Sequence, residues 1–190
     1  MSVFKEIAVG EMFVAHNGRA VFVRNYLEKH PGPHPVYSAS LAMPFGHVDT
    51  FDHEGDHLTW VMNGYGGRIQ EVSGKFSANR DRGVLVPIEG FTVPDLTYLR
   101  YAMEPLFVAS AIGRREDGRR NEYTKLYSEA ALAVRIPILM DSQGHLDYVK
   151  MAELGARLRR IEAARAAVRQ SLEDVLAARV TIESLVMGGD

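Results

Sequence analysis

The chain has 190 residues, 46% apolar and 24% charged, with no cysteine, which is a globular composition and excludes disulfide scaffolds, Cys-ligated zinc sites and thiol nucleophiles. Its 22 Lys and Arg against 24 Asp and Glu give a net charge of −2, so a nucleic acid cannot be held by bulk positive charge and needs a local patch or a partner's help. No apolar run approaches the ~18–20 residues of a membrane span, and Met1-Ser2-Val3-Phe4-Lys5-Glu6 lacks a basic stretch followed by an apolar one, so the expectation is a cytoplasmic protein without membrane contact.

From the N-terminus to about residue 145, short apolar stretches predict strands at Val21-Phe22-Val23, Leu58-Thr59-Trp60-Val61-Met62, Val84-Leu85-Val86 and residues 132–139. Gly, Pro and Asn clusters separate them, and seven of the eight prolines lie between Pro31 and Pro105, which predicts long loops. Leu96, Leu99 and Met103 stand at helical spacing and predict one short helix over 95–107.

Beyond residue 145 the character changes. Residues 146–187 contain no Pro and only Gly155, and Asp147 is placed to cap a helix that would stop at Gly188-Gly189. Apolar residues follow a 4–3 alternation through Leu154, Leu158, Ile161, Val168, Leu172, Val175, Ile182 and Val186, with Arg165 and Arg179 in two of the slots. That is a heptad seam, and the coiled-coil-type rod would be about 60 Å long. Its length favours a seam that faces a partner over one packed on its own domain, and a charge within it selects one register. The predicted architecture is α+β: a mainly β domain over 1–145, then one long helix over 146–190.

Chemistry is sparse. His53-Glu54-Gly55-Asp56-His57 matches H-E-x-x-H, which in zinc hydrolases needs both His on one helical face and the Glu over the metal-bound water. Here Gly55 interrupts it and a strand-like Leu-Thr-Trp-Val follows at once, so the expectation is an acidic turn with solvent-facing His; the zinc-dependent hydrolase remains an alternative. His47, Asp49 and Asp52 add only unspecific ligands. No P-loop, G-x-S-x-G elbow, Asn/Asp-Pro-Pro-Tyr or Glu-x-Lys occurs, and Asn63-Gly64-Tyr65-Gly66-Gly67 reads as a turn or a close backbone approach. No catalytic residue, metal or cofactor is implied. The basic cluster Arg114, Arg115, Arg119, Arg120 and Lys125, with Asn121 among them, offers donors to bases and phosphates. Arg68, Lys75, Asn79 and Arg80 form a second set, alongside Ser77 and Arg82. A solvated loop with internal Arg–Glu pairs is the competing reading, since Glu116, Asp117 and Glu122 lie within the cluster.

Taken in order, several phrases resemble the target-recognition domain of the specificity subunit of type I, and related type IIB, restriction–modification systems. They are Pro35-Val36-Tyr37-Ser38, Gly46-His47-Val48-Asp49 through Gly67, Gly74-Lys75-Phe76-Ser77, Val84-Leu85-Val86-Pro87 and Tyr98-Leu99-Arg100-Tyr101-Ala102-Met103. Residues 122–127, Val134-Arg135-Ile136-Pro137-Ile138 and 141–147 then run into the long helix. The resemblance implies a non-catalytic subunit that reads double-stranded DNA and positions adenine methyltransferase subunits, and it allows a restriction subunit as a further partner. Members of that family usually carry two recognition domains and two spacer helices, so this chain resembles a half-size form. The resemblance then implies a homodimer through the helix, reading two inverted half-sites. Methyltransferase subunits that also clasp DNA would account for the low net charge. A protein-interaction adaptor without DNA reading is the remaining alternative.

Overall fold

The computed structural model describes residues 3–116 and 119–178, at 114–116 and 119–122 in backbone only. The chain divides into two units, residues 1–155 and 156–190. The elements in order are β1 (Val3–Ala8), a 3-10 turn (Val9–Glu11), β2 (Phe13–Asn17), α1 (Arg24–Lys29), β3 (His34–Tyr37), β4 (Gly46–Val48), β5 (His57–Val61), β6 (Asn63–Gly64), β7 (Ile69–Val72) and β8 (Ser77–Ala78). There follow β9 (Arg82–Pro87), α2 (Leu96–Ser110), β10 (Ile112–Glu116), β11 (Arg119–Lys125), α3 (Ser128–Ala133), β12 (Arg135–Met140) and α4 (Tyr148–Ala177).

Four small sheets build the first unit: β2-β9-β5-β7, β4-β3-β8, β10-β11-β6 and β1-β12. The first is antiparallel throughout, with β9 between β2 and β5. Because successive side chains of a strand point to opposite faces, the apolar run in β9 is buried on both. Leu85 joins the main core with Leu58, Trp60, Leu99, Met103 and Phe107, whereas Val84 joins a second cluster with Val72, Phe76 and Ala78. Phe22, Leu27, Val36 and Val48 form a third, smaller cluster.

Trp60 organises the main core. It is fully buried, and its Nε1 donates to the Leu126 carbonyl at 3.0 Å. Opposite it on β9 stands Gly83, where a methyl group would run into the six-membered ring of the indole. A glycine in a central strand is otherwise unfavourable; here it makes room for the largest side chain.

The predicted strands at Leu58–Met62 and Val84–Val86 lie within or overlap β5 and β9. The predicted helix is α2, which runs three residues further than expected, and the Asp95 carboxylate accepts from the Tyr98 N–H at 3.0 Å as its cap. Two expectations need correction. Val21–Val23 is not a strand: Val23 is the extended residue that enters α1, and Phe22 anchors the third cluster. Residues 132–139 are not one strand either, since α3 ends at Ala133 and β12 begins at Arg135.

The long helix begins where expected, with the Asp147 carboxylate accepting from the Lys150 N–H at 2.9 Å. Its first two turns belong to the first unit: Met151 is buried, Leu154 packs on the main core, and Gly155 lies against the Asp95 carboxylate. In the second unit, residues 156–177 continue the helix, with Ile161, Val168, Leu172, Val175 and Leu176 exposed and Leu158 half-buried. Leu154 is therefore a core residue of the first unit and not a free seam position. Arg179, Ile182, Val186 and the expected stop at Gly188-Gly189 lie outside the described residues. Among the described residues no helix is long and apolar enough to cross a membrane.

Gly83→Ala should lower stability by about 1–3 kcal/mol through overpacking against the indole. Urea denaturation followed by Trp60 fluorescence checks this; an unchanged midpoint contradicts the packing described.

Candidate nucleic-acid interface

The basic cluster sits on the β10–β11 hairpin. Its strands pair from Ile112 with Lys125 to Glu116 with Arg119, with a register shift between Gly113 and Arg115. β11 also pairs with β6, Thr124 against Gly64 and Lys125 against Asn63. The Gly-rich run makes this junction possible. A Cβ on Gly66 would stand 2.9 Å from the Lys125 backbone, and Gly67, at φ +86°, lies with its Cα against the backbone of Phe107. Close backbone approach, one of the two sequence expectations, is thus what these glycines permit. Tyr65 and Tyr123 are exposed beside the junction, and Lys125 holds its ammonium 5.5 Å from the Tyr123 ring. The side chains of Arg114, Arg115, Arg119, Arg120 and Asn121 lie outside the described residues.

The second set of candidates is dispersed. Arg68 pairs with Glu104 at 3.3 Å, and the other oxygen of that carboxylate accepts from the Ile69 N–H. Lys75 stands 3.8 Å from Glu54 and over the Phe51 ring. Asn79 is buried and its Oδ1 accepts from the Asp81 N–H, so it shapes a turn and is not presented to a partner. Arg80 is exposed.

Arg82, grouped at first with these surface cations, is fully buried. Its Nε donates to the Ser38 carbonyl and its Nη2 to the Ser40 carbonyl, each at 2.7 Å, while Nη1 donates to Thr59 Oγ1 at 3.1 Å. Burial pulls its pKa down to about 10, opposed by Tyr37, so the guanidinium stays charged at neutral pH. It fastens the connection between β3 and β4, and sequence reasoning had no periodicity or motif by which to find this role.

The H-E-x-x-H match is not a metal site. His53 is bridged to Phe76, Gly55 turns the chain at φ +97°, and His57 opens β5, so no helix carries the pair. Both His57 ring nitrogens face backbone carbonyls, Leu85 at 3.3 Å and Glu54 at 3.1 Å. The Glu54 carboxylate is exposed and lies toward Lys75. Among the described residues no group of three His, Asp or Glu could hold a metal ion. The expectation of solvent-facing histidines also needs correction: His53 stacks on Phe76 at 5.3 Å, and His16 and His57 each stand 5.6 Å from it. His16 and His53 border an open cleft of about 440 Å³, which the Arg19–Asp52 pair at 3.0 Å also lines.

With this geometry in hand, the comparisons are consistent. The fold is that of the specificity subunits of type I restriction–modification systems. The S subunit of such a system from M. genitalium superposes with a TM-score of 0.66 at 13% identity, over 90% of this chain and 42% of that one. The HsdS subunit from Thermoanaerobacter tengcongensis superposes at 0.57 with 12% identity, over 88% of this chain and 39% of that one. By sequence the chain is similar to proteins named as type I specificity subunits, in line with the resemblance. It is 37% identical over 84 residues to a Mycoplasma pneumoniae protein named as a type I specificity subunit, 43% of this chain and 35% of that protein. It is 32% identical over 114 residues to the specificity subunit of the type I restriction enzyme MpnII of the same organism, 58% of this chain and 34% of that protein. The chain thus spans less than half the length of the relatives it matches. No protein-family model matches it.

Two outcomes follow. Arg82→Met should destabilise by about 1–3 kcal/mol for each carbonyl left without a donor, read from the urea midpoint. Burial, then His57 and His16, hold the His53 pKa below its ordinary 6.5, against the pull of Asp52. The unfolded chain therefore takes up a proton that the folded chain refuses, and stability present above 6.5 is lost as pH falls below it. Denaturation midpoints at about pH 7.5 and about pH 5.5 should differ in that direction, and His53→Gln should shrink the difference.

Proposed function

We propose that this chain is a non-catalytic DNA sequence-recognition subunit. Its first unit reads double-stranded DNA, and its long helix pairs with a second copy and docks adenine methyltransferase subunits, with a restriction subunit as a further partner. The site is then bipartite and palindromic, and the protein works in the cytoplasm. The observation that carries this reading is the β10–β11 hairpin. It concentrates Arg114, Arg115, Arg119 and Arg120 on two strands fixed to the domain through β6, on a fold shared with type I specificity subunits. Arg supplies bidentate donors to guanine edges and to phosphates, and a hairpin of two strands fits a major groove.

Pairing through α4 is supported by its exposed apolar residues. Ile161, Val168, Leu172 and Val175 stand at heptad spacing on a helix whose surface is otherwise strongly polar. Arg165 and Arg179 in the same seam favour one register over others. Two copies related by a two-fold axis would present two recognition units in inverted orientation, which is what a palindromic site requires.

Reversing both Arg119 and Arg120 to Glu should weaken DNA binding by the chain assembled with its methyltransferase subunits by at least ~10-fold, and lower the salt slope by about two. A titration at several salt concentrations reads both, and unchanged binding contradicts the assignment. Val168→Lys with Leu172→Lys should convert the dimer to monomer in sedimentation velocity; a wild-type chain that is already monomeric contradicts the pairing.

A further inference from the structure

Resting on that reading, we propose that the connection between β3 and β4, residues 38–45, is a second DNA-reading element. Leu41 and Met43 are its apolar contacts to base edges, and Arg82 is the positioning residue that fixes it. The segment Ser38-Ala39-Ser40-Leu41-Ala42-Met43-Pro44-Phe45 contains no charged side chain. Its large apolar residues are nevertheless turned outward, Met43 being 68% exposed and Leu41 and Phe45 37% each. Apolar side chains clustered on a surface mark an interaction site.

The backbone of this segment is not loose. The buried Arg82 guanidinium grips the carbonyls of Ser38 and Ser40, and the Phe45 N–H donates to the Val36 carbonyl at 2.7 Å. A buried charge employed to hold two carbonyls of a surface loop fixes that loop before any partner arrives, which lowers the ordering cost of binding.

Its surroundings select the partner. Ala39 lies against Gly64, the residue that pairs with Thr124 of the basic hairpin. The exposed Arg80 follows at once, its carbonyl within 3.5 Å of the Asn63 amide. An uncharged apolar loop with the exposed Arg80 nearby and β6 joining it to the strand of the basic hairpin suits the DNA groove: cations meet phosphates while apolar groups meet thymine methyls or a base step. The two elements also divide the reading, with arginines suited to guanine and Leu41 and Met43 to A·T pairs.

The test expresses the chain with its methyltransferase subunits in a host free of adenine methylation and maps the methylated motif across the genome. Leu41→Ser with Met43→Ser should relax the motif at one or two A·T positions, with discrimination there falling about 5- to 150-fold. Thermal stability and assembly with the methyltransferase should be unchanged, because both side chains are exposed. Arg82→Lys, which keeps the charge but not the planar fork, should relax the same positions although it leaves Leu41 and Met43 in place. An unaltered motif in the double variant at wild-type methylation overturns the proposal. So does a loss of methyltransferase assembly with DNA binding by the chain itself unchanged, which assigns the loop to a protein partner. A wild-type chain that directs no methylation and binds no DNA overturns the recognition reading itself, whereas loss confined to the hairpin reversal leaves that reading standing.

Discussion

The structure turns on a single buried cation. Arg82 has no exposed surface, and a guanidinium out of water is costly unless its donors are met. Three are, by two carbonyls of the β3–β4 connection and by the Thr59 hydroxyl on β5, and the Tyr37 ring lies 6.0 Å away. One side chain therefore joins the central strand β9, its neighbour β5 and the loop that leaves β3. β3 also pairs in parallel with β8, which leads within four residues into β9, so Arg82 ties the two sheets beside the point where the chain passes between them. Hydrophobic substitution could fill the volume but could not replace three directed donors, and the Ser38 and Ser40 carbonyls and the Thr59 hydroxyl would each lose a partner.

A second constraint is steric, and it works through absent side chains. Gly83 leaves room for the indole of Trp60, while Gly66 and Gly67 let the chain lie on β11 and the end of α2. The indole in turn donates to Leu126, the residue directly after β11. The hairpin is thus anchored at its base by the largest side chain of the core, and its strands continue from there with little apolar content of their own.

Much of this was legible in the sequence where local pattern and tertiary demand agree. Leu96, Leu99 and Met103 face the core at helical spacing behind a capping Asp95, and the heptad run from Leu158 to Val175 lies on one continuous helix. The runs at β5 and β9 were visible because both strands are central. Other elements depend on distant partners. β1, with the mixed pattern Val-Phe-Lys-Glu-Ile-Ala, is a strand because β12, more than a hundred residues away, pairs with it from Val3–Met140 to Ala8–Arg135. Val21-Phe22-Val23 has strand composition but only Phe22 finds a core, so tertiary packing overrides propensity. Arg82 and Asn79 looked like surface polar residues because nothing local distinguishes a buried arginine from an exposed one. Gly55 and the following strand already spoke against a helix through His53 and His57, but the contacts of His53 with His16 and of both histidines with Phe76 join segments that are far apart in sequence.

The way the hairpin joins the domain has an evolutionary consequence. It departs at Ala111, after the buried Phe107 of α2, and returns at Leu126, whose N–H donates to the Met62 carbonyl. Between those two fixed points, β11 pairs with β6 at Thr124 and Lys125. A segment that leaves and rejoins the domain at two fixed points can be exchanged whole, so on the proposed reading new specificities can be sampled by recombination of one short cassette.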